Sequence, residues 1–473
     1  MIDEIHLKKF ISILDQKGIL TQDTDMEPYE KGWRGDHGKA ALVLRPANTG
    51  EVSKIVSYCV QNNLALVPQS GNTGLMQGST PDQSGIQILL SFERMNKIFE
   101  IDPVNGSAHI GAGCRLSKLN ETCEEFDLHF PIDIGSDPCL GGMTSTNSGG
   151  SRFLKYGGVR ENTLGLKVVL GDENGTILDL LMPLHKNNVG PDLKHMFIGT
   201  CGIFGLITEV IVKLAPNLKQ QATALLVPKD LASVNILLRE IEKRLGTYLS
   251  AFEGMSGEAL KRGIEHNPNI SNPFAPEGIP DYALLIEISR TWDKRDAEQS
   301  LDEILETTLE ELWEFPNTPL ANAVIAAPEK LWDIRHGLSE GTQKSGKLIG
   351  FDISFKRGDL IAFKNHMTAY LKENYPHIAI CDFGHIGDGG MHFSLVIPFD
   401  HKHAKDTDFQ TNLRKNVFDI VVKKFGGSFS AEHSLGRINM KAYQDYTRKE
   451  VKEINRKIKS LLSPASISAI EFE

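Results

Sequence analysis

Two glycine-dense runs constrain this chain more than any other feature. The first, Pro68-Gln-Ser-Gly-Asn-Thr-Gly74, ends an apolar stretch over 64–68 that reads as a strand. The second covers 141–158 and opens Gly141-Gly-Met-Thr-Ser-Thr-Asn-Ser-Gly-Gly150. Glycine lets backbone approach a neighbour closely and turn its N–H groups toward an anion. Ser70, Asn72 and Thr73 add polar side chains to the first run, and Thr146 and Asn147 add them to the second. An ordinary turn is the alternative reading of the first run, and a linker that of the second. No G-x-G-x-x-G follows the first strand, so the Rossmann fingerprint is absent and NAD-type binding is not expected.

The pattern around these runs is mixed. Residues 1–34 read as one helix and a loop. Asn48 then caps a helix with Glu51 three residues on, and Val52, Ile55, Val56 and Val60 follow at helical spacing. Strands are predicted over 41–45, 64–68, 86–91, 97–101, 108–111, 164–170, 176–181 and 205–214, with a helix over 116–126. After Pro216 the texture changes. Strands over 224–227, 283–288 and 348–354 alternate with helices over 231–245, 297–313, 360–375 and 404–425, and another helix carries Leu331, Trp332 and Ile334. That is the pattern of an antiparallel sheet covered by helices, an α+β arrangement. The 473 residues call for two or three domains. The expected division is 1–34 (helix and loop), 35–217, 218–440 and 441–473 (a charged amphipathic helix and tail).

Composition narrows the function. A net charge of −10 with no basic block argues against nucleic acid, but leaves a small anionic substrate open. The six cysteines are scattered without C-x-x-C, which points to a reduced, intracellular protein. The first 20 residues lack a signal-peptide pattern. The cytoplasm is therefore the expected compartment.

The strongest local chemistry lies in Phe383-Gly-His385-Ile-Gly-Asp-Gly-Gly-Met-His392-Phe-Ser394. Two histidines flank a glycine-rich turn between apolar runs, and a hairpin would bring both imidazoles to one side. Two histidines and a carboxylate suit a divalent metal with an open position, zinc first. Glu432, in Ala431-Glu-His433, is the candidate third ligand. Paired histidines near a turn are also common without any metal.

The segment 48–82 resembles the opening of the FAD-binding domain shared by the vanillyl-alcohol-oxidase (PCMH-type) family. The run 141–158 is similar to that family's second phosphate loop, and 192–216 to the stretch that closes around the adenine half. The likeness to its D-lactate and D-2-hydroxyglutarate dehydrogenase branch extends over about 35–462. It implies a two-subdomain PCMH-type FAD-binding domain, then a cap with an antiparallel sheet covered by helices. It implies FAD contacts from Ser70, Gly71, Asn72, Thr73, Gly74, Leu75, Gly78, Ser79, Gly142, Thr146, Asn147, Gly149, Gly150, Gly205 and Ile207. The first loop has no histidine or cysteine, so the flavin is expected to be non-covalent. The resemblance further implies metal ligands His385, His392 and Glu432, a catalytic base His433, and Arg335 and Ser339 toward the substrate. The reaction implied is oxidation of a D-2-hydroxy acid to a 2-oxo acid by hydride transfer to flavin N5. Electrons then pass to an acceptor: an electron-transfer flavoprotein, a cytochrome or a quinone. A homodimer is a candidate assembly.

Some positions depart from the family pattern. Gln77, Met143, Cys201 and Ile203 stand where the flavin domain has Gly, Asn, Glu and Thr. Gly350 stands where D-2-hydroxyglutarate dehydrogenases place a lysine, and Gly390 and Ser394 replace two asparagines. The tail Leu462-Ser-Pro-Ala-Ser-Ile-Ser468 lacks Asn-Pro-Gly. These changes keep three alternatives in view: an oxidase, a non-redox flavoprotein of the alkyl-transferring kind, and a degenerate binding protein.

Overall fold

The computed structural model describes residues 2–33 and 35–472. Met1, Arg34 and Glu473, at the ends of the expected N-terminal and tail segments, lie outside the described residues. The chain divides into two compact units. One comprises Met1–Gly150, Gly157–Asn217 and Glu432–Glu473, and the other Ser151–Tyr156 and Leu218–Ala431.

The first unit holds two main sheets. A four-stranded sheet has the order Ile19–Leu20, Ala40–Leu44, Gln87–Ser91, Leu66–Gln69. Its last three strands run parallel, with the helix Thr49–Gln61 leading from Ala40–Leu44 toward Leu66–Gln69. The Asn48 side chain accepts the Glu51 N–H at 3.0 Å, and Glu51 reaches back to the Ala47 N–H at 2.7 Å. The helix buries Val52, Ile55, Val56 and Cys59 against Leu42, Leu44, Leu66 and Ile88. The second sheet is antiparallel throughout, in the order Phe99–Asp102, Ser107–Gly111, Leu206–Lys213, Thr163–Val169, Ile177–Leu180.

The second unit is built on a seven-stranded antiparallel sheet. Its order is Leu320–Ala326, Gln220–Pro228, Tyr282–Arg290, Leu249–Ser256, Ala379–Gly384, Gly390–Ile397, Lys347–Ser354. Paired residues share a face, and alternate residues along a strand share it too. One face therefore carries Glu287, Glu253, Phe383, His392, Asp352 and Gly350. Leu331, Trp332, Ile334 and Leu338 of the helix Pro328–Lys344 and Ala259 and Leu260 of Gly257–His266 pack on it. The other face carries Phe351 and Phe393, which meet Phe363 and Phe418 from the helices Leu360–Asn374 and Thr407–Asp419. The α+β class and the helix-covered antiparallel sheet are as the pattern predicts.

Several elements differ from the sequence expectation. The N-terminal segment has a second helix, Asp23–Glu30. The strand Leu249–Ser256 and the helix Gly257–His266 were not foreseen, nor was the edge strand Leu320–Ala326. Leu249–Ser256 is buried at every position, so it shows no alternation to read. The expected helix over 404–425 is Thr407–Asp419 continued by a π-helical turn, Ile420–Lys424. The expected tail helix is two helices, Met440–Tyr446 and Lys449–Leu462.

Candidate functional site

In the first unit the two glycine-dense runs meet. A Cβ on Gly71 would lie 2.8 Å from the Cys139 nitrogen, and one on Gly142 would lie 3.1 Å from the Ser70 Cβ. At Gly71 only glycine permits that approach, while at Gly142 a Cβ would be tight. Ser70 also donates to the Ala112 carbonyl at 3.2 Å. The loop 70–79 is half-buried apart from exposed Gly74, with Thr73 and Leu75 among its half-buried residues. Asn72 has φ 53° and spends its amide on the fold, donating to Lys31 O at 2.7 Å and accepting from Ser79 at 2.9 Å.

The second run is not a pure loop. Leu140–Thr146 is helical, and Thr144 and Thr146 return their hydroxyls to the Leu140 and Gly142 carbonyls at 2.8 and 2.9 Å. Asn147, at φ 52°, ends the helix and accepts the Arg160 N–H at 3.0 Å. Gly149 and Gly150 are buried, and a Cβ on Gly150 would collide with the Asp133 carbonyl. Gly205 and Ile207 are packed against Val168. Met143 is buried, so its bulk serves the core.

The run Glu432–Arg437 begins the last segment of this unit. Ser434 has φ 63°, and its hydroxyl lies 3.1 Å from the Cys201 sulfur. Burial raises the Cys201 thiol pKa, against the lowering effect of its contacts with Ser434 and Leu435. Gly436 passes so close to the Met76 carbonyl that no Cβ would fit, and Arg437 donates to the Thr80 carbonyl. Glu432 Oε1 and His433 Nε2 stand 3.9 Å apart. An extended strand would direct these neighbours to opposite sides; the bend at 431–433 and left-handed Ser434 prevent that. The tail also returns to this unit: Ser468 donates to the Cys201 carbonyl at 2.8 Å, and the Ser466 carbonyl accepts the Leu66 N–H at 3.3 Å.

In the second unit one buried acid organises the polar face. Glu253 accepts from Arg335 Nε at 2.6 Å and lies 2.9 Å from His385 Nδ1. Burial opposes its ionisation, but His385 and Arg335 outweigh it and bring the pKa to about 2. The turn after Ala379–Gly384 sets His385 in place, with its carbonyl accepting the Asp388 and Gly390 N–H groups. The His385 and His392 rings are 5.2 Å apart. His392 pairs in register with Asp352 and Phe383, and its Nδ1 lies 3.9 Å from Asp352 Oδ1. Asp352 in turn accepts the Ala431 N–H at 3.0 Å, one residue before Glu432. Arg335 is 8% exposed and its guanidinium sits 4.9 Å from the Phe383 ring centre. Ser339, four residues along the same helix, is exposed.

A second buried acid escaped the sequence reading. Glu287 receives Arg152 Nε at 2.8 Å, Ser250 at 2.7 Å and the Trp332 indole N–H at 2.8 Å. Arg152 lies in the glycine-rich run, whose residues Ser151–Tyr156 belong to the second unit. The signal available for both acids was a lone carboxylate in an apolar stretch, Ala-Phe-Glu253-Gly-Met and Leu-Leu-Ile-Glu287-Ile.

Comparison with known proteins agrees with this architecture. The family described as FAD binding domain matches residues 40–181, and that of the FAD linked oxidases, C-terminal domain, matches residues 218–469. A probable mitochondrial D-2-hydroxyglutarate dehydrogenase of Oryza sativa subsp. japonica is 33% identical, over 97% of this chain and 79% of its own length. The D-2-hydroxyglutarate dehydrogenase of Bos taurus, also mitochondrial, is 33% identical over 95% and 80%. The D-2-hydroxyglutarate–pyruvate transhydrogenase of Saccharomyces cerevisiae is 31% identical over 95% and 90%. Among solved structures, p-cresol methylhydroxylase has a TM-score of 0.72 at 16% identity, covering 97% of this chain and 94% of its own. Alkyldihydroxyacetonephosphate synthase has 0.73 at 16%, covering 99% and 85%. At such identity these structures show the fold alone. The cytoplasmic expectation is overturned, because similar dehydrogenases are described as mitochondrial. Absence of a signal-peptide pattern and of paired cysteines bears on secretion and oxidation, and does not separate one reducing compartment from another. The chain belongs to the FAD-linked oxidases of vanillyl-alcohol-oxidase fold, and within them to the FAD-dependent D-2-hydroxy-acid dehydrogenases.

Proposed function

We propose that the chain oxidises a D-2-hydroxy monocarboxylate, with Arg335 holding the acid's carboxylate and His433 removing the hydroxyl proton. A divalent metal, zinc first, is assigned to His385, His392 and Glu432. The observation that carries this reading is Glu253, a single buried carboxylate that anchors Arg335 and His385 together. On this assignment Glu253, 2.9 Å from His385 Nδ1, is the carboxylate partner of a ligating histidine whose Nε2 would face the ion, the usual carboxylate–histidine arrangement around such ions. By holding Arg335 Nε it orients the guanidinium and leaves the terminal nitrogens for a bidentate carboxylate. A cation beside the C2 hydroxyl would acidify it. The His433 imidazole is the group assigned to accept that proton.

The FAD fit rests on the first unit. The meeting of the 70–79 loop with Cys139 and Gly142, where Gly71 leaves no space for a Cβ, supports a pyrophosphate site at this junction. FAD supplies the two-electron acceptor for the C2 hydride. Ser70, Thr73, Leu75, Gly78, Ser79 and Thr146 are assigned to hold it. With no histidine or cysteine between Gln69 and Thr80, acid precipitation is expected to release all the flavin. Yellow colour left on the pellet would show a covalent link.

Gly350 supports the monocarboxylate reading. It lies on the same sheet face as Asp352 and His392, and a Cβ there would meet nothing within 4 Å. The position thus has open space at its Cβ and supplies no charge for a second carboxylate. In anaerobic stopped-flow with a panel of D-2-hydroxy acids, monocarboxylates are expected to reduce the flavin at least as efficiently as D-2-hydroxyglutarate. Gly350→Lys should shift the preference toward the dicarboxylate about 10–100-fold, the worth of a hydrogen-bonded charge pair. Strict dicarboxylate preference in the unaltered chain would refute the monocarboxylate assignment. The electron acceptor is assigned to the class of flavoprotein, cytochrome or quinone carriers.

A further inference from the structure

Three histidines gather at the far end of the hairpin that carries His385 and His392. His377 lies between the helix Leu360–Asn374 and the strand Ala379–Gly384, and His401 and His403 lie just beyond the strand Gly390–Ile397. The pairing of Ala379 with Val396 sets the two loops side by side. The six residues of Ala379–Gly384 separate this cluster from His385, about 20 Å along the strand at ~3.3 Å per residue. It is thus no part of the site already described.

The three imidazoles each present a ring nitrogen within 4.8 Å of the others. His377 Nε2 and His403 Nδ1 are 3.0 Å apart. Nitrogens bound to one tetrahedral zinc at ~2.0–2.1 Å stand about 3.3 Å apart. The His401 ring stacks on His377 at 3.8 Å and 18°. Its Nδ1 accepts the His403 N–H at 3.3 Å, which leaves Nε2 as the ligand atom. Phe409 stacks on His403 at 3.7 Å and Tyr375 packs edge-on to His377 at 6.5 Å, so the outer rings are held in orientation. Burial and then His401 lower the pKa of both His377 and His403, which favours the neutral, metal-binding form.

We propose that His377, His401 and His403 bind a divalent transition metal of the zinc class. The ion would replace the proton shared by His377 and His403, keep one coordination position for water, and clasp the 375–378 turn to the 398–405 loop. Three imidazoles without a carboxylate favour such ions over calcium or magnesium. This site is independent of the metal assigned to His385, His392 and Glu432.

The test compares the FAD-loaded enzyme with His401→Gln and His403→Gln, each stripped with chelator and then titrated with Zn2+ alone. The unaltered chain is expected to bind one zinc more than either variant, whatever the occupancy of the other site. Zn2+ should also raise its unfolding temperature by roughly 2–4 °C more than that of the variants. Flavin content and turnover should be unchanged in the variants, which shows that they fold. Equal zinc stoichiometry in all three proteins would overturn the proposal. If either variant loses flavin, His377→Gln replaces it, and the stoichiometry difference decides in the same way.

Discussion

His433→Asn is expected to slow flavin reduction by a D-2-hydroxy acid about 10²–10⁴-fold, the usual worth of a general base. FAD, metal and unfolding temperature should stay as in the unaltered enzyme. Glu432→Ala should fail differently: the metal is lost, because a carboxylate ligand contributes charge as well as a bond. The two side chains are neighbours and stand only 3.9 Å apart. The contrast is expected because their roles differ, while both depend on the same irregular backbone. Ser434 at φ 63° and the Gly436 approach to Met76 fix that backbone in the first unit. Metal analysis and single-turnover kinetics on the two variants check this. If both lose metal and share one residual rate, His433 is a ligand, and the proton goes elsewhere.

The sequence made the ends of the chemistry legible and hid the middle. His385 and His392 stood out because glycines surround them, and the hairpin those glycines predict does bring the rings to 5.2 Å. Asn48 and its helix were readable because a cap is a local device. Glu253 was hidden by a strand buried on both faces, where periodicity vanishes. Its role depends on register: Gly254 pairs with Gly384, and this sets Glu253 across from His385. No local pattern encodes that pairing. The glycine-rich run misled in a different way. Its composition suggests loop, yet Thr144 and Thr146 bond back to carbonyls four residues earlier and permit a helical turn. The altered tail, though it lacks Asn-Pro-Gly, is anchored in the first unit through Ser466 and Ser468, to Leu66 and Cys201.

Replacement of Glu253 is expected to produce the largest combined loss of stability and function in the second unit. The carboxylate is 1% exposed and contacts two cationic or cation-forming groups. Removing one partner of a buried pair leaves the other charge uncompensated, at a cost of about 3–5 kcal/mol. Glu253→Ala should therefore lower unfolding stability by that order, as read by chemical denaturation. Glu253→Gln keeps the shape and an acceptor oxygen, so it should lose less stability and separate structure from function. On the proposed assignment its metal affinity should fall 10–100-fold, roughly the worth of an outer partner to a ligating histidine. Its KM should rise more than its kcat falls, because Arg335 is released from the geometry that meets the substrate's carboxylate before any bond breaks. Arg335→Lys should copy the KM effect without the metal loss, since an ammonium cannot present the same fork. If Glu253→Gln binds metal and substrate as the unaltered enzyme does, Glu253 is a packing residue alone. Arg335 and His385 then owe their positions to the sheet rather than to the acid between them.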